Sequence, residues 1–527
     1  MQQNNYYFLT DFVDSIDKNV KNRFTNGPVC CNVGERGRRV SRRIGGTLML
    51  WAGLDIGTTS VSIVLTDAAT GVEAYAASRP NRSWIPGTRE DERLQDPERI
   101  WRTVEDVLRD IGAYRPAIAG VGGTGQMHGI VYVNRGGRHA SPLYTWQDRR
   151  GDRQRFPAGN AAASRSGGGG RTYAEWLSEA TSSRLAAGYG LVTHAWNAAN
   201  GALPDEPCTM CTIGDYVAMR LAGRTEPIID ATNAASLGGF DLERGRFDPA
   251  AAESAGAPPG ALPAVVPSNA PVGRTEDGIP VYNAIGDNQA SFLGAVHSVS
   301  RSVLVNVGTG SQVSAYAGTY GRAEGLELRP FPGGGYLWVG ASINGGKAYA
   351  LLESFFRDVV REMTGAEPSG DLYEAMNRLA ERDAGGRRGT GTEAPPLIRT
   401  TLLGTREEPG LTGAIDLLTE RNFTASHLVR GFLEGMAREL LAYYDRFPED
   451  VKRGSASLVG AGNGLRGNPG LRRSVSEAFG LPLRIAPREE EAAYGAALHA
   501  AVSHGAFASY EEAVRAWYAE EDVDMRR

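Results

Sequence analysis

A carboxylate placed where a strand ends and a loop begins can take a proton from a hydroxyl group. The pentapeptide GDNQA at 286–290 puts Asp287 in that position, directly after the strand-like run IPVYNAI. An alcohol is a poor nucleophile until its proton has somewhere to go, so an acid here suits transfer of a phosphoryl group to an alcohol. The same residue could instead only cap a helix beginning at Gln289, since Asp is a common N-cap. A second acid, Asp55, ends the apolar run before Gly57, Thr58, Thr59 and Ser60 in LDIGTTS. Small residues at a hairpin tip let backbone N–H groups and hydroxyls cradle a phosphate, and an Asp beside them can hold a hydrated Mg²⁺. A plain turn uses the same residue types. NVGTGS at 306–311 repeats the arrangement with Gly308, Thr309, Gly310 and Ser311, and two such tips favour the phosphate reading.

Recognition of a polyol needs planar donors and acceptors for hydroxyls and an aromatic face for C–H edges. TGQMHG at 124–129 and LYTWQDRR at 143–150 supply that mixture through Gln126, Met127, His128, Trp146 and Asp148. Each has a plainer reading: His128 as a satisfied core histidine, Trp146 as packing. Asp230, in IIDATNAAS, shares the ambiguity, because Asp followed by Thr and Asn also makes a turn. The stretch 458–480, LVGAGNGLRGNPGLRRSVSEAFG, reads as strand, glycine turn and helix, with Asn463 and Asn468 near the helix start. Glycines there would let a flat base lie on the backbone, although a tight strand-to-helix connection needs them equally. Cys208 and Cys211 form a CxxC with no second Cys or His pair nearby, so they are read as packing residues rather than zinc ligands.

Such groups must be held by strands that end at one cleft. From Leu50 the chain alternates strand-length apolar runs ending in Gly, Thr or Asp with amphipathic stretches of helical length. LWAGLDIG, VSIVLTDAATG and VEAYAASRP predict a strand, its hairpin partner and a third strand. Ile100, Val104, Val107, Leu108 and Ile111 then predict a helix over 97–111. The layout recurs near residue 300: VLVNVGTGSQVSAYAG as strand, tip and strand, then helical LVRGFLEGMARELLAYYDRF, strand-like SASLVGAG and helical EEEAAYGAALHAAVSH. This predicts a duplicated α/β fold with a ligand cleft between the halves and a boundary near 297–300.

The chain has 527 residues, which suits two domains of roughly 200–250 residues. Its net charge of −5 gives no electrostatic reason to expect nucleic acid, and no apolar run approaches membrane-spanning length. Four cysteines in so long a chain point to a reducing, cytoplasmic compartment. The 68 glycines cluster at strand ends, where backbone can approach a ligand. Residues 1–48 are polar, basic near their end, and carry Cys30 and Cys31; they read as a disordered leader without a signal-peptide pattern. RSGGGG at 165–170 and the segment 383–396 read as surface loops.

In this order the motifs LDIGTTS, TGQMHG, TWQD, DATNAAS, GDNQA, GTGS, SINGG, GAGNG and EEEAAYGAAL resemble the FGGY family of carbohydrate kinases. The resemblance runs from about 50 to 504. It implies two ribonuclease-H-like domains of the actin/hexokinase type, 50–297 and 300–504, closing on ATP, Mg²⁺ and a sugar, with 505–527 as a tail bearing a short helix. It leaves a homodimer open. By the same resemblance Asp287 is the catalytic base, and Asp55 lies beside the metal, which it holds through water, and the γ-phosphate. Thr58 and Thr59 lie in one phosphate loop, with Gly308, Thr309 and Gly310 in the other. Gln126, Met127, His128, Asp230 and Asn288 line the sugar pocket, with Trp146 and Asp148 close by. Gly462, Asn463 and Asn468 meet adenine and ribose, and Asn344 and Gly345 approach the nucleotide from the facing side. TGQMHG with TWQD, DATNAAS and SINGG looks most like the sedoheptulokinase branch, implying phosphorylation of a ketose at its terminal hydroxyl. The xylulokinase branch shares the QMHG element, and RSGGGG departs from the family pattern beside the sugar.

Overall fold

β1 (Leu50–Ile56) is buried on both faces and pairs antiparallel with β2 (Ser60–Asp67), so residues 57–59 form the hairpin tip. A strand apolar on both faces must lie inside a sheet covered on two sides. β2 continues antiparallel to β3 (Glu73–Pro80), the predicted third strand. Asp96 then caps α1 (Pro97–Asp110), with Pro97 in the first turn and Ile100, Val104 and Val107 buried on one stripe. β4 (Ile118–Gly125) runs parallel to β1. Two helices, α2 (Ile213–Leu221) and α3 (Ala231–Leu237), precede β5 (Pro271–Arg274) and β6 (Pro280–Gly286), and β6 lies parallel to β4. The six-stranded order is β5-β6-β4-β1-β2-β3. α4 (Asp287–Ala295) follows β6 without a break.

The second half repeats the plan. β7 (Ser302–Val307) and β8 (Ser311–Ala317) make the hairpin whose tip is 308–310. β9 (Glu327–Pro330) and β10 (Tyr336–Ser342) add the antiparallel side. α5 (Gly345–Thr364) and α6 (Ala425–Tyr444) lead to β11 (Ser457–Ala461), α7 (Asn463–Arg466), α8 (Pro469–Phe479) and β12 (Leu483–Ile485). The second order, β9-β10-β8-β7-β11-β12, is again a meander joined to parallel strands. Both sheets thus carry three antiparallel strands followed by two parallel ones, the ribonuclease-H-like pattern, with β5 and β9 as additions at opposite edges.

α9 (Glu491–His504) lies on the first sheet although it follows the second in the chain. The approach is backbone to backbone: a Cβ on Gly53 would fall 1.8 Å from the Ala493 carbonyl oxygen, and one on Gly122 would fall 2.1 Å from that of Ala496. α9 crosses α4 as closely, at Gly294 and Gly495. These glycines serve helix packing, not ligand approach, which corrects the single role assigned to glycine from the sequence. α10 (Tyr510–Tyr518) was expected as part of a tail; its Tyr510, Val514, Trp517 and Tyr518 are instead buried with Phe292, Tyr494 and strands of both sheets in one core cluster.

This computed structural model describes residues 48–155, 170–181, 183–382, 393–405, 408 and 410–518. The expected leader and both expected loops lie outside them, but for residues 48, 170 and 393–396. Among the described residues no helix is long and apolar enough to cross a membrane.

Candidate active site

Asp55 sits one residue before the end of β1, opposite Thr124 of β4. Its Oδ1 is buried and has no hydrogen-bond partner. Burial first, then the nearby charges of Asp287 and Glu490, push its carboxyl up to about 8. Asp287 is the first residue of α4, and the N-cap is Gly286. The helix therefore begins two residues earlier than expected, and Asp287 is not its cap. Burial raises the Asp287 carboxyl to about 6, against the opposing pull of the Arg329 guanidinium and a hydrogen bond from the Asn288 backbone. Both carboxyls are thus raised by burial, Asp55 further than Asp287 because it also feels the charges of Asp287 and Glu490.

The loop carrying Asp287 is held from three directions. Asp230 Oδ1 accepts from the Thr232 amide at 2.7 Å and the Thr232 hydroxyl at 2.5 Å, and Thr232 Oγ1 in turn accepts from the Gly286 amide at 2.9 Å. Asp230 is fully buried and caps α3, so in this structure it supports the loop. Asn288 donates through Nδ2 to Gln312 Oε1 at 2.8 Å, and Gln289 donates through Nε2 to the Pro330 carbonyl at 2.8 Å. Both partners belong to the second sheet. Gly286 has no room for a side chain, because a Cβ would fall 2.8 Å from the Met127 sulfur.

Met127 is buried, and His128 beside it has φ of 69°, an uncommon conformation for a residue with a side chain. Ser236 holds it there: its Oγ accepts from the His128 amide at 3.1 Å, and its carbonyl lies 2.9 Å from His128 Nδ1. The imidazole stacks on Tyr189 with ring centres 4.5 Å apart. Such strain recurs where a side chain is aimed at a ligand. At the first tip, Thr58 Oγ1 accepts from the Trp146 indole at 3.1 Å and donates to Gln126 Oε1 at 3.4 Å. Gln126 Nε2 donates to Gln95 Oε1, and Gln95 Nε2 donates to the Thr58 carbonyl, each at 2.8 Å. The indole of Trp146 and the side chain of Thr59 remain exposed. Asp148 does not: it is buried in an ion pair with Arg150 at 2.7 Å and accepts from the Arg93 amide at 3.0 Å.

At the second tip, Gly308 and Thr309 are exposed, and their carbonyls accept from the amides of Gly346 at 2.9 Å and Lys347 at 3.1 Å. Gly345 packs so closely that a Cβ would fall 2.2 Å from the Gly310 carbonyl carbon. Asn344 is buried, donating to Gly404 and Glu439 at 3.0 Å and accepting from the Leu403 amide at 3.0 Å, so its amide faces protein. Asn468 is likewise buried and caps α8, accepting from the Leu471 amide at 2.9 Å. Gly462, with φ of 79°, passes close to Asn306 and leaves Asn463 exposed. Of the predicted site residues, then, Asp55, Asp287, Gln126, Met127, His128, Trp146, Asn288 and the two tips converge. Asp148, Asn344 and Asn468 stand behind them as supports, and Asp230 supports the loop through Oδ1 while its buried Oδ2 meets no hydrogen-bond partner.

Sequence reasoning missed Arg329, Glu490 and Gln312. Glu490 lay within the quoted EEEAAYGAAL without a role. Arg329 and Gln312 sit in strands with no local signal. Cys208 and Cys211 are free thiols of which Cys211 is buried, as the packing reading expects.

Two ribonuclease-H-like halves with a Gly/Thr hairpin tip apiece, and an acid between them, define a phosphotransferase of the actin/hexokinase class. The N-terminal domain of the FGGY family of carbohydrate kinases matches residues 50–155 and its C-terminal domain matches 308–504, together more than half of the chain. The chain belongs to that family, and it is an ATP-dependent sugar kinase. A sedoheptulokinase of Mus musculus is 26% identical over 492 residues, covering 85% of this chain and 96% of that protein. A xylulose kinase of Streptomyces rubiginosus is 27% identical over 465 residues, covering 86% and 87%. The crystal structure of xylulose kinase from Lactobacillus acidophilus superimposes with a TM-score of 0.70 at 17% identity, covering 88% of this chain and 91% of that one, and so shares the fold.

Proposed function

We propose that this kinase transfers the γ-phosphoryl group of ATP to the terminal hydroxyl of a ketose, sedoheptulose giving the 7-phosphate, with Asp287 as general base. The observation that carries the reading is Asp287 itself: a partly accessible carboxylate at a helix start, free of any capping role and raised to about 6. A base with that pKa is ionised at neutral pH yet still basic enough to take a proton as the hydroxyl oxygen attacks phosphorus.

Gln126, Met127, His128, Trp146 and Asn288 line the sugar side, with Asp148 and Asp230 holding that wall. Thr58, Thr59, Gly308, Thr309 and Gly310 receive the phosphates, and Gly462 and Asn463 meet the adenosine, backed by Asn344, Gly345 and Asn468. The orphaned Oδ1 of Asp55 and its raised carboxyl fit a neighbouring cation, so Asp55 would hold Mg²⁺ through water, with Glu490 nearby. When bound, the ion neutralises charge on the phosphate oxygens. The halves 50–297 and 300–504 close over the sugar and exclude water, which would otherwise compete as acceptor. Free thiols at Cys208 and Cys211 support a reducing, cytoplasmic setting.

The sedoheptulokinase relatives support the seven-carbon substrate, and xylulose kinase relatives of similar identity support a pentulose as the second reading. Sugar-dependent ADP release across a panel of ketoses and polyols decides between them: the highest kcat/KM falls on sedoheptulose, and a preference for xylulose or glycerol would remove that assignment. Asp287→Asn should lower turnover by about 10²–10⁴-fold while sugar binding survives; near-normal turnover would remove the base.

A further inference from the structure

The two ends of the Asn288 amide have different fates. Nδ2 donates to Gln312 Oε1 at 2.8 Å, whereas Oδ1 is buried and meets no hydrogen-bond donor. Whatever fixes the NH₂ group of an amide also decides which way its carbonyl faces. Gln312 is well suited to fix it. It is the second residue of β8, and its neighbours in the sheet are Asn306 on β7 and Ala341 on β10. A residue laddered on both sides moves little. Gln312 also lies two residues beyond Gly310 of the second phosphate tip, and Asn288 adjoins Asp287. A single hydrogen bond therefore joins the rim of the nucleotide tip to the catalytic loop.

We propose that Gln312 is a positioning residue for phosphoryl transfer. It holds the Asn288 amide so that Oδ1 is presented as an acceptor to a sugar hydroxyl, and it ties that contact to the nucleotide tip. The proposal rests on Asp287 being the base of a sugar kinase. Its chemistry is specific: a buried acceptor requires a donor, so the ligand group beside Asn288 carries an O–H. Without Gln312 the amide can turn and offer an NH₂ to the same hydroxyl.

The test is a double-mutant cycle read as sugar-dependent ADP release. Gln312→Leu removes the acceptor at similar volume and should lower kcat/KM by about ten- to a hundredfold. Gln312→Glu keeps an acceptor for Asn288 but adds a carboxylate near Asp287, so it should keep the sugar KM within about threefold of the parent protein while the acid limb of the kcat/KM–pH profile moves up. In an Asn288→Ala background, Gln312→Leu should cost less than about twofold, because the residue acts through Asn288. ADP binding by titration calorimetry shows that the fold and nucleotide site persist, and Gln312→Met repeats the cycle if the leucine variant loses ADP binding. Unchanged kcat/KM in Gln312→Leu, or an equally large loss in the Asn288→Ala background, overturns the proposal. Asp287→Asn measured alongside separates the two failures. Near-normal turnover there removes the catalytic reading itself, whereas an inactive Asp287→Asn with an unaffected Gln312→Leu removes only this proposal.

Discussion

Replacing Asp287 by asparagine keeps the shape of the side chain and removes its charge, so its effect on stability has a sign that the structure sets. The carboxyl is raised from 3.8 to about 6 on folding, chiefly by burial. A raised acid is neutral in the native state below its unfolded pKa and costs nothing there. As pH climbs from about 4 to 6 the unfolded chain ionises first, so the native state loses ground, and above 6 the loss is complete. Two pKa units correspond to about 3 kcal/mol, and partial solvent access brings the expected figure to about 1–3 kcal/mol. Asparagine carries no such cost. Thermal melts of the ligand-free protein should therefore show Asp287→Asn melting about 1–3 °C higher at pH 8, with the gap closing as pH falls toward 4. The same variant should be nearly inactive. A lower melting temperature at pH 8, or a difference that ignores pH, would refute the claim that burial raises this acid.

Two further outcomes follow from named contacts. Arg329 lowers the Asp287 carboxyl, and its own guanidinium pairs with Glu327 at 2.5 Å. Arg329→Met should thus move the acid limb of the kcat/KM–pH profile above about 6, since it removes the cation that lowers the Asp287 carboxyl; an unmoved limb would show that the two do not communicate. Gly53→Ala should destabilise by about 3 kcal/mol or more, because the new Cβ would fall 1.8 Å from the Ala493 carbonyl oxygen. Denaturant titration reads that loss, and parent-like stability would mean that α9 can shift freely.

The hairpins, both tips and the acids at strand ends were legible because each has a local signature: apolar runs, small residues at a turn, an acid after a strand. Asp230, Asp148, Asn344 and Asn468 were legible as polar residues near the site but not in their direction. Asp148, Asn344 and Asn468 point into protein, at Arg150, Leu403 and Leu471, and Asp230 spends Oδ1 on Thr232 while its Oδ2 meets no hydrogen-bond partner; direction depends on neighbours that the local sequence does not name. Arg329 and Gln312 were invisible for a related reason. Their importance comes only from what β9 and β8 lie against, and one strand residue reads like another until the sheets are assembled. Asp287 was ambiguous between cap and base; the helix start at Asp287, with Gly286 as N-cap, removes the capping role, and the base is the role proposed for it.

The glycines between α4, α9 and β1 belong to the same question. Asp287 opens α4, Glu490 is the N-cap of α9, and Asp55 is the penultimate residue of β1. These elements touch at Gly294, Gly495 and Gly53, where backbone meets backbone with no side chain between. The separation of the three carboxylates is therefore set by main-chain packing, which is stiffer than any arrangement of rotamers. Burial is the main cause that raises Asp55 to about 8, and the close charges of Asp287 and Glu490 add to it. A methyl group added at one of these crossings would spread the acids and weaken the contribution of Asp287 and Glu490 to the raised Asp55 carboxyl. The glycines that looked like ligand-facing loops act one layer further back, by fixing how near the acids stand.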